Sequence, residues 1–207
     1  MNRPHHNDCD AWKEVADEDL WIYDKLILSR KLGYVCGPSG VDVPEPGFYI
    51  VRPITNLLGM GIGAKVVWLT NTTDDLVEPG FFWCEMFSGT HLSIDYVNKE
   101  PVLQIEGLRD ESDSLWRWRE WRRTKKNIKY PEVLSKLLTK DYPYVNIEFV
   151  DRKIIEVHTR LNPDWKDGDY ASIIPLYEDE GENPGDPPEG YAFKSSKDYK
   201  RIGFFVK

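Results

Sequence analysis

The alternation of apolar and polar positions is sharpest from Tyr144 to Asn162, YVNIEFVDRKIIEVHTRLN. Two β-rich runs, VNIEFV and KIIEVHTR, meet at the polar pair Asp151-Arg152, which predicts a β-hairpin. A loop of only those two residues sets Glu148 opposite Ile155 and turns Glu156 to the other side of the sheet. A loop of Asp151, Arg152 and Lys153 sets Glu148 opposite Glu156. In that second register Ile147, Phe149, Ile155 and Val157 share one face, and Glu148, Glu156, His158 and Arg160 share the other. A one-residue slip sends every side chain to the opposite face, so burial selects the register that separates apolar from polar better, the second. Two carboxylates and an imidazole then converge on one patch, and carboxylate oxygens suit Mg²⁺. A solvated sheet face with an ordinary Glu–Arg pair has the same pattern.

Upstream, Asp17 to Leu32 reads as a helix, with acids at its start, Lys and Arg at its end and Gly33 as a C-cap. Leu20, Tyr23, Ile27 and Lys31 fall on one stripe of it. Residues 37–47 are rich in Pro and Gly and predict a loop. Phe48 to Ile54 and Lys65 to Thr70 read as strands, joined by TNLLGMGIGA with glycines at 59, 61 and 63. Alternate glycines let backbone N–H groups approach an anion, but the connection runs from strand to strand and lacks GxxxxGK[ST], so it is not a Walker A site. Gly80 to Val97 reads as two strands broken at Ser88-Gly89-Thr90, Pro101 to Glu106 as a further strand, and Pro131 to Thr139 as a short helix. After Asn162, Tyr170 to Leu176 and Arg201 to Lys207 are apolar enough for strands.

Composition narrows the class. The chain has 207 residues, 41% of them apolar and 13% aromatic, enough for one packed domain or two small lobes sharing a core. Its net charge of −8 argues against a general nucleic-acid binder. Three separated cysteines, Cys9, Cys36 and Cys84, suit a reducing, cytoplasmic setting and exclude a disulfide scaffold or zinc ribbon. No apolar run approaches the ~20 residues that span a bilayer, and the N-terminus has no apolar signal region. Residues 1–16 are expected as a flexible tail, although His5, His6, Asp8 and Cys9 are types that could bind a metal. Residues 178–190, with six acidic residues and three prolines, are expected as a mobile acidic loop. Residues 191–207 are expected to dock as a terminal strand on a domain spanning 17–177.

The order of these pieces resembles the ATP-grasp superfamily over about Asp24 to Asn162. The resemblance implies an α+β fold of two small lobes built on mainly antiparallel sheets, with a nucleotide cleft between them. It places Lys25 and Arg52 at the family's nucleotide-phosphate positions and Gly59, Gly61 and Gly63 in its flexible glycine loop. Glu85-Met86-Phe87 resembles the strand whose backbone meets adenine. Glu148 and the run Glu156-Val157-His158-Thr159-Arg160 are similar to the paired metal carboxylates that end in Glu-x-Asn-x-Arg. The implied cofactors are ATP and Mg²⁺. The implied reaction joins a carboxylate to an amine through an acylphosphate, with Arg160 stabilising the transferred group and a small-molecule or peptide acceptor. His158 stands where the family has Asn, His91 where many members have an acid, and most of the N-terminal lobe is expected to be missing. A fold that binds ATP without catalysis, as an adaptor, is the alternative.

The segment SLWRWREWRRTKKNIK, with seven Lys or Arg and three Trp between Trp116 and Lys129, supports three readings. It reads as a helix burying Trp118 and Trp121 under a basic face. It also has the ingredients of a single-stranded nucleic-acid platform, or of a partner for the acidic loop.

Overall fold

The computed structural model describes residues 4–55, 61–70, 76–110, 114–125, 128–181, 183–196 and 200–207. Their strands form two antiparallel sheets. The smaller has the order β1-β4-β2-β3, from β1 (Cys36–Pro38), β2 (Gly47–Pro53), β3 (Lys65–Leu69) and β4 (Phe81–Glu85). The larger has the order β11-β12-β10-β7-β6-β5-β8-β9. Its strands are β5 (His91–Val97), β6 (Glu100–Leu108), β7 (Glu120–Arg123), β8 (Tyr144–Val150), β9 (Lys153–His158), β10 (Ser172–Tyr177), β11 (Ala192–Ser195) and β12 (Arg201–Val206). Among the described residues three short α-helices, α1 (Asp8–Ala11), α2 (Lys25–Lys31) and α3 (Glu132–Leu137), pack around them. The α+β class and the mainly antiparallel sheets are as the sequence led us to expect.

Each sheet buries one face. Under the small sheet, Val51, Leu69 and Trp83 gather with Val43 and Val77. Under the large sheet, Leu92, Ile94, Tyr96, Val145, Ile147 and Phe149 pack with Leu134 of α3 and with Ile22 and Tyr23. The intervening residues of β5 and β8, including Ser93, Asp95, Asn146 and Glu148, therefore turn to the opposite face, because successive side chains alternate.

The hairpin reaches its register by a different route from the expected one. Asp151 and Arg152 both have positive φ, 45° and 66°, and form a two-residue turn that pairs Val150 with Lys153. Such turns match the right-handed twist of the strands. A β-bulge then shifts the ladder, so that Phe149 faces Ile154 while Glu148 faces Glu156. Ile154, not Ile155, enters the core at 4% exposure. The extra residue restores the pairing that a three-residue loop would have given.

Other expectations are corrected. The helix over 17–32 is a 3-10 segment, Asp17–Tyr23, followed by α2, because the Asp24 side chain accepts from Ile27 N–H and starts a new helix. The Trp-rich segment is not a helix. Its Glu120–Arg123 part is strand β7, closing the sheet between β6 and β10, with Trp121 opposite Gly107. The N-terminal stretch is packed rather than loose: Asn7 caps α1, Leu161 N–H donates to the His5 carbonyl, and Asp8 is 3% exposed. The acidic stretch begins as a 3-10 turn, Glu178–Glu180, tied to the body by Arg117, which reaches Asp179 at 2.5 Å and Glu180 at 3.3 Å.

Candidate functional site

A cavity of about 1320 Å³ lies between the two sheets. Its walls are set by local structure. Lys25 begins α2, and its N–H donates to the Ile54 carbonyl just past β2, which brings the ammonium beside Arg52 of β2. From the large sheet, Glu148 on β8 and Glu156 and His158 on β9 project from the face opposite the core.

The charged groups meet across the gap. Lys25 Nζ lies 2.6 Å from Glu156 Oε1, and Arg52 Nη1 lies 4.0 Å from the same oxygen. The other Glu156 oxygen is 3.3 Å from His158 Nε2. Burial pushes the Glu156 carboxyl up, yet Lys25, His158 and Arg52 together hold it well below the usual carboxylate range. Arg52 is 8% exposed, its guanidinium lies over the Phe82 ring, and its Nε has no hydrogen-bond partner among the described residues. A buried, unpartnered donor beside a cavity is costly unless something else satisfies it.

A Glu148 carboxylate oxygen lies 2.9 Å from His91 Nε2, in hydrogen-bond reach of the imidazole. One ligand atom each from Glu148, Glu156 and His158 lies within 4.8 Å of the others. The two carboxylates fit a hard divalent cation. His158 is engaged on both nitrogens, with Asp8 at 2.8 Å on Nδ1 and Glu156 on Nε2. Burial and Arg160 favour its neutral form, but Asp8 and Glu156 prevail and raise its pKa to about 9.

The sequence names Asp8 only among the residues of a tail expected to be flexible, not as a partner of His158 and Arg160. The Asp8 carboxylate also accepts from Arg160 Nε and Nη2, each at 3.0 Å. Arg160 is thus held by a bidentate pair at the cavity wall. The only local signal was Asn7 followed three positions later by Asp10, whose N–H it caps.

The remaining expected positions fall as follows. Glu85 ends β4, where its N–H donates to the Val35 carbonyl and its carboxylate accepts from Val35 N–H. Met86 is 47% exposed, and Phe87 packs edge-on against Tyr34; all three line the cavity. Gly61 lines it as well, while Gly63 approaches Phe81 and Pro53. Gly59 lies outside the described residues.

The arginines of the Trp-rich segment are paired among the described residues. Arg117, Arg119, Arg122 and Arg123 pair with Asp179, Asp110, Glu120 and Asp169. No described helix is long and apolar enough to cross a membrane.

No protein-family model and no curated protein matches the chain. Solved structures do. An ATP-grasp superfamily protein from Archaeoglobus fulgidus aligns over 90% of this chain and 64% of its own, at 15% identity and a TM-score of 0.53. The L-amino acid ligase from Bacillus licheniformis aligns over 90% of this chain and 66% of its own, at 10% identity and a TM-score of 0.54. The chain therefore spans just under two thirds of the length of each. At this identity the likeness defines the fold, and the fold is ATP-grasp.

Proposed function

On that fold, we propose that the chain binds Mg·ATP and acts as a ligase joining a carboxylate to an amine through an acylphosphate. The observation that carries this reading is the charge arrangement across the cavity. Two cations from the small-sheet side, Lys25 and Arg52, face two carboxylates from the large sheet, Glu148 and Glu156. Phosphoryl transfer asks a protein mainly for positioning and charge stabilisation, and this set supplies both.

Lys25 and Arg52 would neutralise phosphate oxygens, and the unpartnered Arg52 Nε would gain an acceptor there. Residues 85–87 would lie along adenine, and the stretch with Gly59, Gly61 and Gly63 would close over the phosphates and exclude water. Glu148 and Glu156 would hold Mg²⁺, and His158 would join them only as a neutral imidazole through Nε2. Bound there, the metal would offset phosphate charge. Arg160 would stabilise the transferred group from the position where Asp8 holds it.

Calorimetry with Mg·ATP tests the reading. Binding is expected for the wild type, with affinity at least about tenfold lower in Glu148→Gln, a loss of about 1.4 kcal/mol. Glu148 is the better variant, because Glu156→Ala would also strip Lys25 and His158 of their counter-charge. No heat with Mg·ATP, together with no thermal stabilisation by it, would overturn the proposal.

One observation favours a second reading. Asp8 already occupies Arg160 on two nitrogens, which is consistent with a protein that binds nucleotide without catalysis. Tight ATP binding with no ADP release across a panel of amine acceptors would select it.

A further inference from the structure

We propose that the part of the cavity beyond His91 is an acceptor subsite for a small molecule carrying both an aromatic ring and an acidic group. The proposal rests on the nucleotide reading above and names the substrate class for the same cleft.

Size is the first argument. A cavity of about 1320 Å³ exceeds the roughly 300–1,000 Å³ that holds one drug-sized ligand. The phosphate and metal groups account for one end. The other end is walled by Trp116, Trp118 and Tyr177.

His91 marks the boundary. Its Nε2 bonds to Glu148, while its ring stands edge-on to Trp118 at 4.5 Å between centroids. A ligand lying on the Trp118 side is thereby one side chain from the metal carboxylates. An amine on that ligand would point at the place where the acyl group is activated.

The aromatic wall is fixed in place. Trp118 N–H donates to the Tyr177 hydroxyl at 2.8 Å, and that hydroxyl donates to the Trp118 carbonyl at 3.2 Å. Trp116 stands edge-on to Tyr177 at 5.5 Å. A Cβ on Gly107 would fall 2.6 Å from the Trp118 ring, so the bare strand lets the indole lie against it. Trp116 and Trp118 are nevertheless only half-buried, which leaves ring surface to the cavity. Rings held this way lose little freedom when a ligand ring packs on them.

Charge supplies the second half of the ligand. Arg117 is tied to Asp179 and Glu180. Arg109, also on the cavity wall, is exposed, sits 5.7 Å over the Trp118 ring and has no ion-pair partner among the described residues. It is placed to take a carboxylate from a ligand whose ring rests on the tryptophans.

Ligand-observed NMR on the full chain tests this with three probes: L-phenylalanine, phenethylamine, which lacks the acid, and L-leucine, which lacks the ring. Phenylalanine is expected to bind most tightly, with leucine at least about tenfold weaker, a gap of about 1.4 kcal/mol. Arg109→Ala should erase the preference for phenylalanine over phenethylamine. Trp118→Leu should erase the preference over leucine, and Trp116→Leu, whose ring is not among those packed on the core cluster that Trp118 joins, serves if Trp118→Leu fails to fold. Equal binding of leucine and phenylalanine, no saturable phenylalanine binding, or indifference to both tryptophan variants would overturn the subsite. Mg·ATP calorimetry on the same wild-type sample separates the two proposals. Heat without aromatic preference removes the subsite alone, and aromatic preference without heat removes the nucleotide reading alone.

Discussion

Asp8 is the residue on which the charged side of the cleft is balanced. It is 3% exposed, and it faces His158 and Arg160, both also buried. Removing one partner of a buried ion pair leaves charge without compensation, at a cost of about 3–5 kcal/mol. Asp8→Ala is therefore expected to lower Tm by on the order of 10 °C in a thermal melt near neutral pH. An unchanged melt would mean that the N-terminal stretch is not packed in solution. The pH dependence follows from the same contact. Burial opposes ionisation of Asp8, but His158 and Arg160 lower its pKa from 3.8 to about 2, so its contribution is present above 3.8 and lost as pH falls towards 2. His158 moves from 6.5 to about 9, so its contribution is present below 6.5 and lost as pH rises through 9. The Tm difference between wild type and Asp8→Asn should thus be widest between pH 3.8 and 6.5 and narrow on either side. A difference that grows above pH 9 would contradict the assignment.

The hairpin of β8 and β9 shows what an element discloses through its sequence and what it conceals. Alternation in VNIEFV and EVH placed Glu148, Glu156 and His158 on one face, since only one register buries Ile147, Phe149 and Val157 together. The bulge was hidden, because nothing in KIIEV distinguishes which isoleucine enters the core. The same limit applies to β7. It holds one β-favouring residue, Trp121, among charged neighbours, and pairing with Gly107 on one side and Ile173 on the other makes it a strand. Asp8 was beyond reach for a different reason, as its partner His158 is 150 positions away and no local pattern encodes the contact. The bulge itself is testable. Deleting Ile155 would leave Val150 opposite Lys153, Phe149 opposite Ile154 and Glu148 opposite Glu156, with the ladder regular throughout. The deletion is expected to cost only about 1–2 kcal/mol, read by denaturant titration, and to keep Mg·ATP binding. Loss of the fold would show that the added twist, not just the register, is required.

At the scale of the whole molecule, the cleft exists only while the two sheets hold their mutual angle. The chain crosses from β4 to β5 through residues 86–90, and Gly89 sits there at φ +132°, a conformation that L side chains rarely adopt. A Cβ at this position would also fall 2.8 Å from the Asp151 Cβ, in the turn of the hairpin that carries Glu148 and Glu156. Gly89→Ala must therefore strain the crossing and push the hairpin, two effects that act on the same gap. Gly33 offers the contrast. It has φ +78°, but nothing lies within 4 Å of its added Cβ, so a side chain there carries the strain without pushing on the hairpin. Both substitutions carry backbone strain, on the order of 1–3 kcal/mol each. Only the first should also displace Glu148 and Glu156 relative to Lys25 and Arg52. If the sheets act together on one nucleotide, Gly89→Ala weakens Mg·ATP affinity at least about tenfold while Gly33→Ala leaves it within about twofold, both read by calorimetry. Equal losses in the two variants would mean that binding follows overall stability rather than the angle between the sheets.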